Sequence, residues 1–234
     1  MEGISLIFKV LWSPGEAMSR AAKSRRFLAP LVLLTLFSVG VTVIRFQYIN
    51  DAEIGIRMLE QRGTQLTPEQ KSRIMEQANG TFSHAIAVIA SVIGPAFLVF
   101  LITLLYFGLF TLVGRDGGFK AFYTVTAFAC VPLVVRLIVS AIMVIAIPQS
   151  SLAIDEIGSV SPAIFLDRTA LSKPLFALIN SIDVVSLWIL VLMVIGYGFV
   201  VSRSVSTTVR AICVFSIWLV WVGLRVAISP FFPF

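Results

Sequence analysis

Two long apolar runs separated by a short polar turn constrain this chain more than any other feature. They occupy residues 86–113 and 121–147, and the turn between them is Gly114-Arg115-Asp116-Gly117-Gly118. Each run exceeds the roughly 20 apolar residues that a helix needs to cross the hydrocarbon core of a bilayer. The pattern therefore predicts two transmembrane helices joined by a tight turn on one side of a membrane.

Three further apolar runs of this kind lie at residues 27–48, 175–201 and 209–228. Of the 234 residues, 58% are hydrophobic and only 13% are charged, whereas about a quarter of an ordinary soluble domain is charged. We therefore predict an all-α polytopic membrane protein, with a five-span membrane domain over residues 27–234. A separate soluble catalytic domain has no room in this length.

Residues 1–26 have the pattern of a basic amphipathic segment at the cytoplasmic membrane interface. Residues 3–12 place apolar side chains mostly on one helical side, and Ser13-Pro14-Gly15-Glu16 is typical of the start of a second short helix. The basic residues of this segment are Lys9, Arg20, Lys23, Arg25 and Arg26. Such a tail favours contact with anionic lipid headgroups over nucleic-acid binding, because the chain is so apolar.

The longest polar loop, between residues 49 and 83, carries helix signals of its own. Residues 51–61 form a helical pattern, and Thr67-Pro68-Glu69-Gln70 is a capping-box pattern that predicts a second helix. We expect a helical pair over residues 51–80 on the outer membrane face. The side that holds the N-terminus and the second and fourth connections has nine Lys and Arg residues, against six on the other side. The positive-inside rule thus predicts a cytoplasmic N-terminus and an outside C-terminus.

Four ionisable residues fall within or at the edges of the predicted spans: Arg45, Arg136, Asp183 and Arg225. Charges at such depth are costly unless they are paired or reached by water. One interpretation pairs Asp183 with one arginine while the others reach the headgroups, and the acidic first loop folds over the bundle to supply further carboxylates. A second is an outward-facing polar cavity that accepts an anionic headgroup or solute, and a third is a subunit interface. The spacing by three of Asn180, Asp183 and Ser186 predicts one polar stripe on the fourth helix.

The proline, glycine and cysteine positions predict kinks, turns and packing and not a chemical site. Pro95 and Pro132 predict kinks in the second and third helices, and Gly114, Gly117 and Gly118 predict a tight turn. The two cysteines, Cys130 and Cys213, lie in predicted spans without a partner at metal-ligand spacing. We find no nucleophile–base pair, phosphate loop or metal-ligand cluster, so we expect no enzyme, cofactor or metal.

Four short segments, taken together, have a pattern that goes beyond composition. These segments are Leu11-Trp12-Ser13-Pro14-Gly15-Glu16, Leu66-Thr67-Pro68-Glu69-Gln70 with Met75, residues 114–120 followed by Val131-Pro132, and Asp183-Val184-Val185-Ser186-Leu187-Trp188 leading to Gly196. In these segments the chain resembles the Yip domain family, integral membrane proteins named for interacting with Ypt/Rab GTPases, and in particular its short bacterial branch. The resemblance implies five spans, a cytosolic N-terminus, a bacterial inner-membrane location and association with other membrane proteins. It supplies no catalytic residues.

Two functions follow as expectations. The first is a non-enzymatic membrane protein that organises membrane or partner proteins through its bundle and basic N-terminal face, in a role like trafficking or membrane shaping. Its partners would be anionic lipids and other membrane proteins or further copies of itself. The alternative is a lipid or small-solute transporter or scramblase that uses the charged cavity in the outer half of the bilayer.

Overall fold

A computed structural model describes residues 2–24, 26–61, 64–78, 80–147, 158, 160–166 and 171–230. Throughout these ranges the regular structure is helical, and no β-strand is present. Helices α3 (Leu28–Tyr48), α6 (Thr81–Val113) and α11 (Thr207–Ile228) are each long and apolar enough to cross a membrane. The predicted all-α polytopic class is thereby confirmed.

The third apolar run forms two helices, α7 (Phe119–Ala129) and α8 (Leu133–Ala146), which together make one span. Between them the backbone tightens into i→i+3 bonds, such as the one from the Leu133 amide to the Cys130 carbonyl at 2.9 Å. Pro132 causes this interruption because it has no amide hydrogen to donate and its ring crowds the preceding turn. At Pro95, by contrast, the helix is not interrupted, since α6 is continuous through it; the kink predicted there stays a prediction.

The fourth apolar run is not the single helix that its composition predicts. It forms α9 (Lys173–Ser181) and α10 (Val184–Tyr197), which bend by 49° at the break between them. The described residues thus contain four span-length helices, or five spans when this bent pair is counted as one. The prediction of one polar stripe is wrong for the same reason: Asn180 lies on α9 and Ser186 lies on α10.

The N-terminus forms the two predicted short amphipathic helices, α1 (Glu2–Trp12) and α2 (Pro14–Ser24). They pack on each other, and α2 also packs against α7 and α10. Val10, Met18 and Ala21 are completely buried in the main core. We call this pair the N-terminal hairpin; its apolar side is part of the bundle, a contact that the sequence pattern did not predict.

The long polar loop forms the two predicted helices, α4 (Asp51–Gln61) and α5 (Pro68–Ala78), which pack on each other. The capping box is confirmed: the Thr67 amide donates to Gln70 Oε1 at 2.9 Å, and the Gln70 amide donates to Thr67 Oγ1 at 3.3 Å. A 3₁₀ turn, Pro162–Phe165, packs against α9. It thereby lies beside the bent fourth span.

An aromatic cluster at one end of α6, α7 and α10 forms the centre of the main core. Tyr197 is fully buried, and its ring centroid lies 5.3 to 5.4 Å from those of Tyr106, Phe110 and Phe122. The hydroxyl groups of Tyr197 and Thr126 are 2.9 Å apart and share a hydrogen bond, and Tyr106 donates to the Val214 carbonyl at 2.9 Å. Both buried phenols therefore have partners, as low-polarity surroundings require.

Candidate functional site

The break in the fourth span brings together a charged pair. Arg136, four residues past the Pro132 interruption, forms an ion pair with Asp183 and donates to Ser186 Oγ at 3.1 Å. The Asp183 side chain is only 5% exposed, whereas that of Arg136 is 36% exposed. The carboxylate is thus enclosed, and the guanidinium forms part of a surface.

Asp183 is also the N-cap of α10. Its Oδ1 accepts from the Val185 amide at 2.7 Å and the Ser186 amide at 3.3 Å, and its Oδ2 accepts from Ser186 Oγ at 3.3 Å. An aspartate in this position satisfies amides that the first helical turn leaves without partners, and its charge opposes the positive end of the helix dipole. Asp183 therefore begins a helix and pairs with an arginine at the same time.

More polar groups continue from this pair along α9. Arg225 of α11 donates to Ser181 Oγ at 3.4 Å, and Ser161 donates to Asn180 Oδ1 at 2.8 Å. The charges of Arg225 and Arg136 repel each other. We define the polar seam as the cluster of Ser161, Asn180, Ser181, Asp183, Ser186, Arg136 and Arg225. Among these described residues two guanidiniums face one carboxylate, so the seam carries an excess positive charge.

A groove adjoins the polar seam where α3, α6 and α8 meet. Its volume is about 290 Å³, and its walls are apolar except for Arg136 and the small Ser38. The walls come from Leu34 of α3, Gly94 and Pro95 of α6 and Leu137 of α8. Arg136 is therefore shared between the polar seam and an apolar space.

Arg45 is the remaining charged residue predicted within a span. Its ion pair is with the first loop and not with a residue of the polar seam. Its Nη2 donates to Asp51 Oδ1 of α4 at 2.9 Å. The hypothesis that the acidic first loop supplies carboxylates to the span arginines is confirmed for this pair. The sequence could not assign Asp51 to Arg45 in particular, because several acidic residues lie in that loop.

Two basic residues of the N-terminal hairpin, Lys9 and Arg20, contact one carboxylate. Lys9 Nζ lies 3.0 Å and Arg20 Nη2 lies 2.6 Å from Glu16 Oε1. The hydrogen bond from Lys9 and the charge of Arg20 hold the pKa of Glu16 below its usual value. Lys23 and Arg26 are exposed, and Arg25 lies outside the described residues. The solvent side of the hairpin thus keeps a positive balance.

The turn at residues 114–118 binds the connection between α10 and α11 through backbone groups. The amides of Asp116 and Gly117 donate to the Val200 carbonyl at 3.2 and 2.8 Å, and the Ser202 amide donates to the Gly114 carbonyl at 3.2 Å. Gly114 has φ +134°, and a Cβ on Gly117 would lie 3.0 Å from Val200 Cβ. The conformation of Gly114 therefore favours glycine, and a side chain at Gly117 would press on Val200. Gly118 is the N-cap of α7 with open space around it.

The N-terminal hairpin lies at this same end of the bundle. Lys120 lies 6.0 Å from the ring of Phe27, and Met18 packs beside Gly196 near the end of α10. We define the basic end as this end of the molecule. Its basic residues are Lys9, Arg20, Lys23, Arg26, Arg115, Lys120, Arg203 and Arg210.

Four or five spans, a polar seam inside the bundle and a docked N-terminal hairpin define a polytopic all-α membrane protein. The model of the Yip1 domain matches residues 8–229, which is nearly the whole chain, and the chain belongs to that family. The family predicted from the short sequence segments is thus confirmed. Neither a curated protein nor a solved structure matches the chain.

Proposed function

We propose that this protein is non-enzymatic and organises the membrane at its basic end. The observation that supports this proposal is the way in which the N-terminal hairpin is held. Its buried side is anchored in the core by Val10, Met18 and Ala21, while Trp12 is 83% exposed and Phe8 is 61% exposed. Phe8 and Trp12, which are spaced by four on α1, are thus exposed on a hairpin whose other side is anchored in the bundle.

An exposed aromatic face next to basic residues is the pattern of a helix that inserts into the headgroup region. Its apolar side chains enter the acyl boundary, and its Lys and Arg residues attract anionic lipids. When the side chains insert into just one of the two leaflets, the area of that leaflet increases relative to the other. This difference in area favours membrane curvature. Because the hairpin is packed on the spans, the insertion depth is set by the bundle.

The proposal places the basic end in the cytoplasm. Lys and Arg residues near span ends are retained preferentially on the cytoplasmic side, and the N-terminal hairpin and the second and fourth connections, which carry these basic residues, belong to segments that contact one another. The N-terminus would then be cytoplasmic and the C-terminus outside, in the inner membrane of a bacterium. Anionic lipid of the facing leaflet would be the partner of the hairpin.

The test is the shape of vesicles that contain the full-length protein. The protein is reconstituted into phosphatidylcholine–phosphatidylglycerol vesicles, and their diameters are measured by electron cryomicroscopy. We expect the wild type to shift the population to smaller or tubular vesicles. The double variant Phe8→Ser with Trp12→Ser should lose this shift, because it removes the inserting side chains and leaves the buried side of the hairpin unchanged.

The matched control is Phe82→Ser, which removes a 78% exposed aromatic ring at the start of α6. This variant should shape vesicles as the wild type does. Equal vesicle diameters for the wild type and the double variant would contradict the proposal.

The proposal also includes partner proteins in the same membrane, either other chains or further copies of this one. Membrane proteins that organise others must associate with them in the plane of the bilayer. Affinity purification in mild detergent should recover a co-purifying membrane protein or a self-associated form. Recovery of the monomer alone would remove this part of the proposal.

A further inference from the structure

We propose that the groove between α3, α6 and α8 binds one anionic phospholipid, with its phosphate at Arg136 and an acyl chain along the apolar walls. This inference is independent of the proposed function, which concerns the N-terminal hairpin at the basic end. It assigns a ligand class to the place where the polar seam meets the groove.

The groove has the form that an acyl chain needs. Its walls are almost wholly apolar, and its volume of about 290 Å³ is open on one side. Gly94 has no heavy atom within 4 Å of the place where a Cβ would lie, so the space in front of α6 is unfilled by the protein. An apolar cleft with one convergent polar group is typical of a ligand site, the polar group fixing the orientation.

Among the described residues, the charge at the head of the groove is positive. Asp183 is the described carboxylate that faces Arg136, and it is already engaged by two backbone amides and the Ser186 hydroxyl. Arg225 adds a second positive charge that repels Arg136. An anion beside Arg136 would relieve that repulsion and balance the charge of the seam residues that the structure describes.

Arg136 also has hydrogen-bonding capacity left. Its Nη2 is engaged by Asp183 and Ser186, but the side chain is still 36% exposed, so part of the guanidinium remains open to a ligand. A guanidinium offers five donors in a planar fork that matches the oxygens of a phosphate. A phospholipid provides such oxygens on the same molecule as the acyl chain that the groove accepts.

The experiment uses the full-length protein in phosphatidylcholine nanodiscs that contain a small fraction of a photoreactive lipid. The probe is phosphatidylglycerol with a diazirine on its acyl chain, and the comparison probe is phosphatidylcholine with the same chain. After illumination, intact-protein mass spectrometry counts the adducts and peptide mapping locates them. We expect one main adduct with the phosphatidylglycerol probe, mapped to α6 near Gly94 or to α8 near Leu137.

Two variants separate the roles of charge and space. Arg136→Gln should lower the adduct yield about tenfold, since it removes a charge-assisted contact. Gly94→Leu should lower it as strongly by filling the groove, and the open space at Gly94 lets the protein fold around the new side chain. The controls are Arg203→Gln, an exposed arginine at the basic end, and Gly223→Leu, a glycine with equal open space on α11. Both controls should label as the wild type does.

Unchanged labelling in Gly94→Leu would overturn the inference even if Arg136→Gln did not fold. Equal labelling by the two probes would overturn it as well, because it would show ordinary boundary lipid. Absence of any lipid adduct on α6 or α8 with the phosphatidylglycerol probe would also overturn it. Normal vesicle shaping by Gly94→Leu would show that the lipid site and the proposed function are separate.

Discussion

Arg136 of α8 and Asp183 at the start of α10 form an ion pair that joins the third span to the bend of the fourth. Because Asp183 is nearly fully buried, removal of Arg136 leaves a buried negative charge without a counter-charge. We expect Arg136→Leu to lower the free energy of unfolding by about 3 kcal/mol. Arg136→Leu combined with Asp183→Asn should recover most of this loss, since no buried charge remains; thermal unfolding in detergent measures both.

The second role of Asp183 can be separated from the first. Asp183→Asn keeps a side-chain oxygen that caps α10, whereas Asp183→Ala removes it. We expect Asp183→Ala to be less stable than Asp183→Asn by about 1 kcal/mol. Equal melting temperatures for the two variants would contradict the capping role.

Gly196 allows close approach of α10, α7 and α2. A Cβ at this position would collide with Val125 and press on Met18. We expect Gly196→Ala to destabilise the protein by about 1–3 kcal/mol through overpacking. Gly223→Ala, on α11 with open space around it, should be neutral or slightly stabilising in the same melting experiment. Similar melting temperatures for the two variants would be inconsistent with this packing.

Tyr197 contributes mainly through its ring. In Tyr197→Phe the aromatic contacts remain, and Thr126 still donates to the Phe122 carbonyl. The expected loss is about 1 kcal/mol, the value of one ordinary hydrogen bond. Tyr197→Ala opens a cavity between Tyr106, Phe110 and Phe122 and should cost about 3–5 kcal/mol. A larger loss for the Phe variant than for the Ala variant would reverse this assignment.

Glu16 makes the docking of α1 on α2 sensitive to acid. Its pKa is lowered by the hydrogen bond from Lys9 and the charge of Arg20, so its stabilising effect is fully present above its unfolded pKa. The effect is lost as the pH falls through the lower folded pKa. The hydrogen-exchange protection factors of α1 and α2 should therefore fall in strong acid. Glu16→Gln should flatten that fall, whereas Glu69→Gln on α5 should leave it unchanged.

The sidedness of the basic end can be tested with single cysteines. Lys23→Cys and Arg203→Cys should react with a membrane-impermeant maleimide only after inverted vesicles expose the cytoplasmic face. Glu76→Cys on α5 should react from the opposite side. Buried Cys130 and Cys213 give the background. Reaction of Lys23→Cys and Arg203→Cys from different sides would contradict one shared end.

Apolar runs and capping signals were enough to predict the helices of the first loop and the all-α class. The bend at Asp183 was not predicted, although an aspartate before an apolar run is a helix-start signal. The apolar run over residues 175–201 is long enough for one continuous span, and this length favoured a single helix over a helix start at Asp183. From the sequence, Asp183 could pair with any of the span arginines. Only the bend of the fourth span and the packing of α8 select Arg136. The groove depends on three helices far apart in sequence, so no local pattern could predict it.

The backbone bonds between the turn at 114–118 and the Val200 connection have a consequence for mutational tolerance. Main-chain atoms alone make the bonds from Asp116 and Gly117 to Val200. Exchange of the side chain at Asp116 should therefore leave the joint between these connections intact, whereas any side chain at Gly117 would push Val200 away. The side chains at the basic end can therefore change in charge and size over evolutionary time. The helix pairs that the two connections join would keep their positions meanwhile.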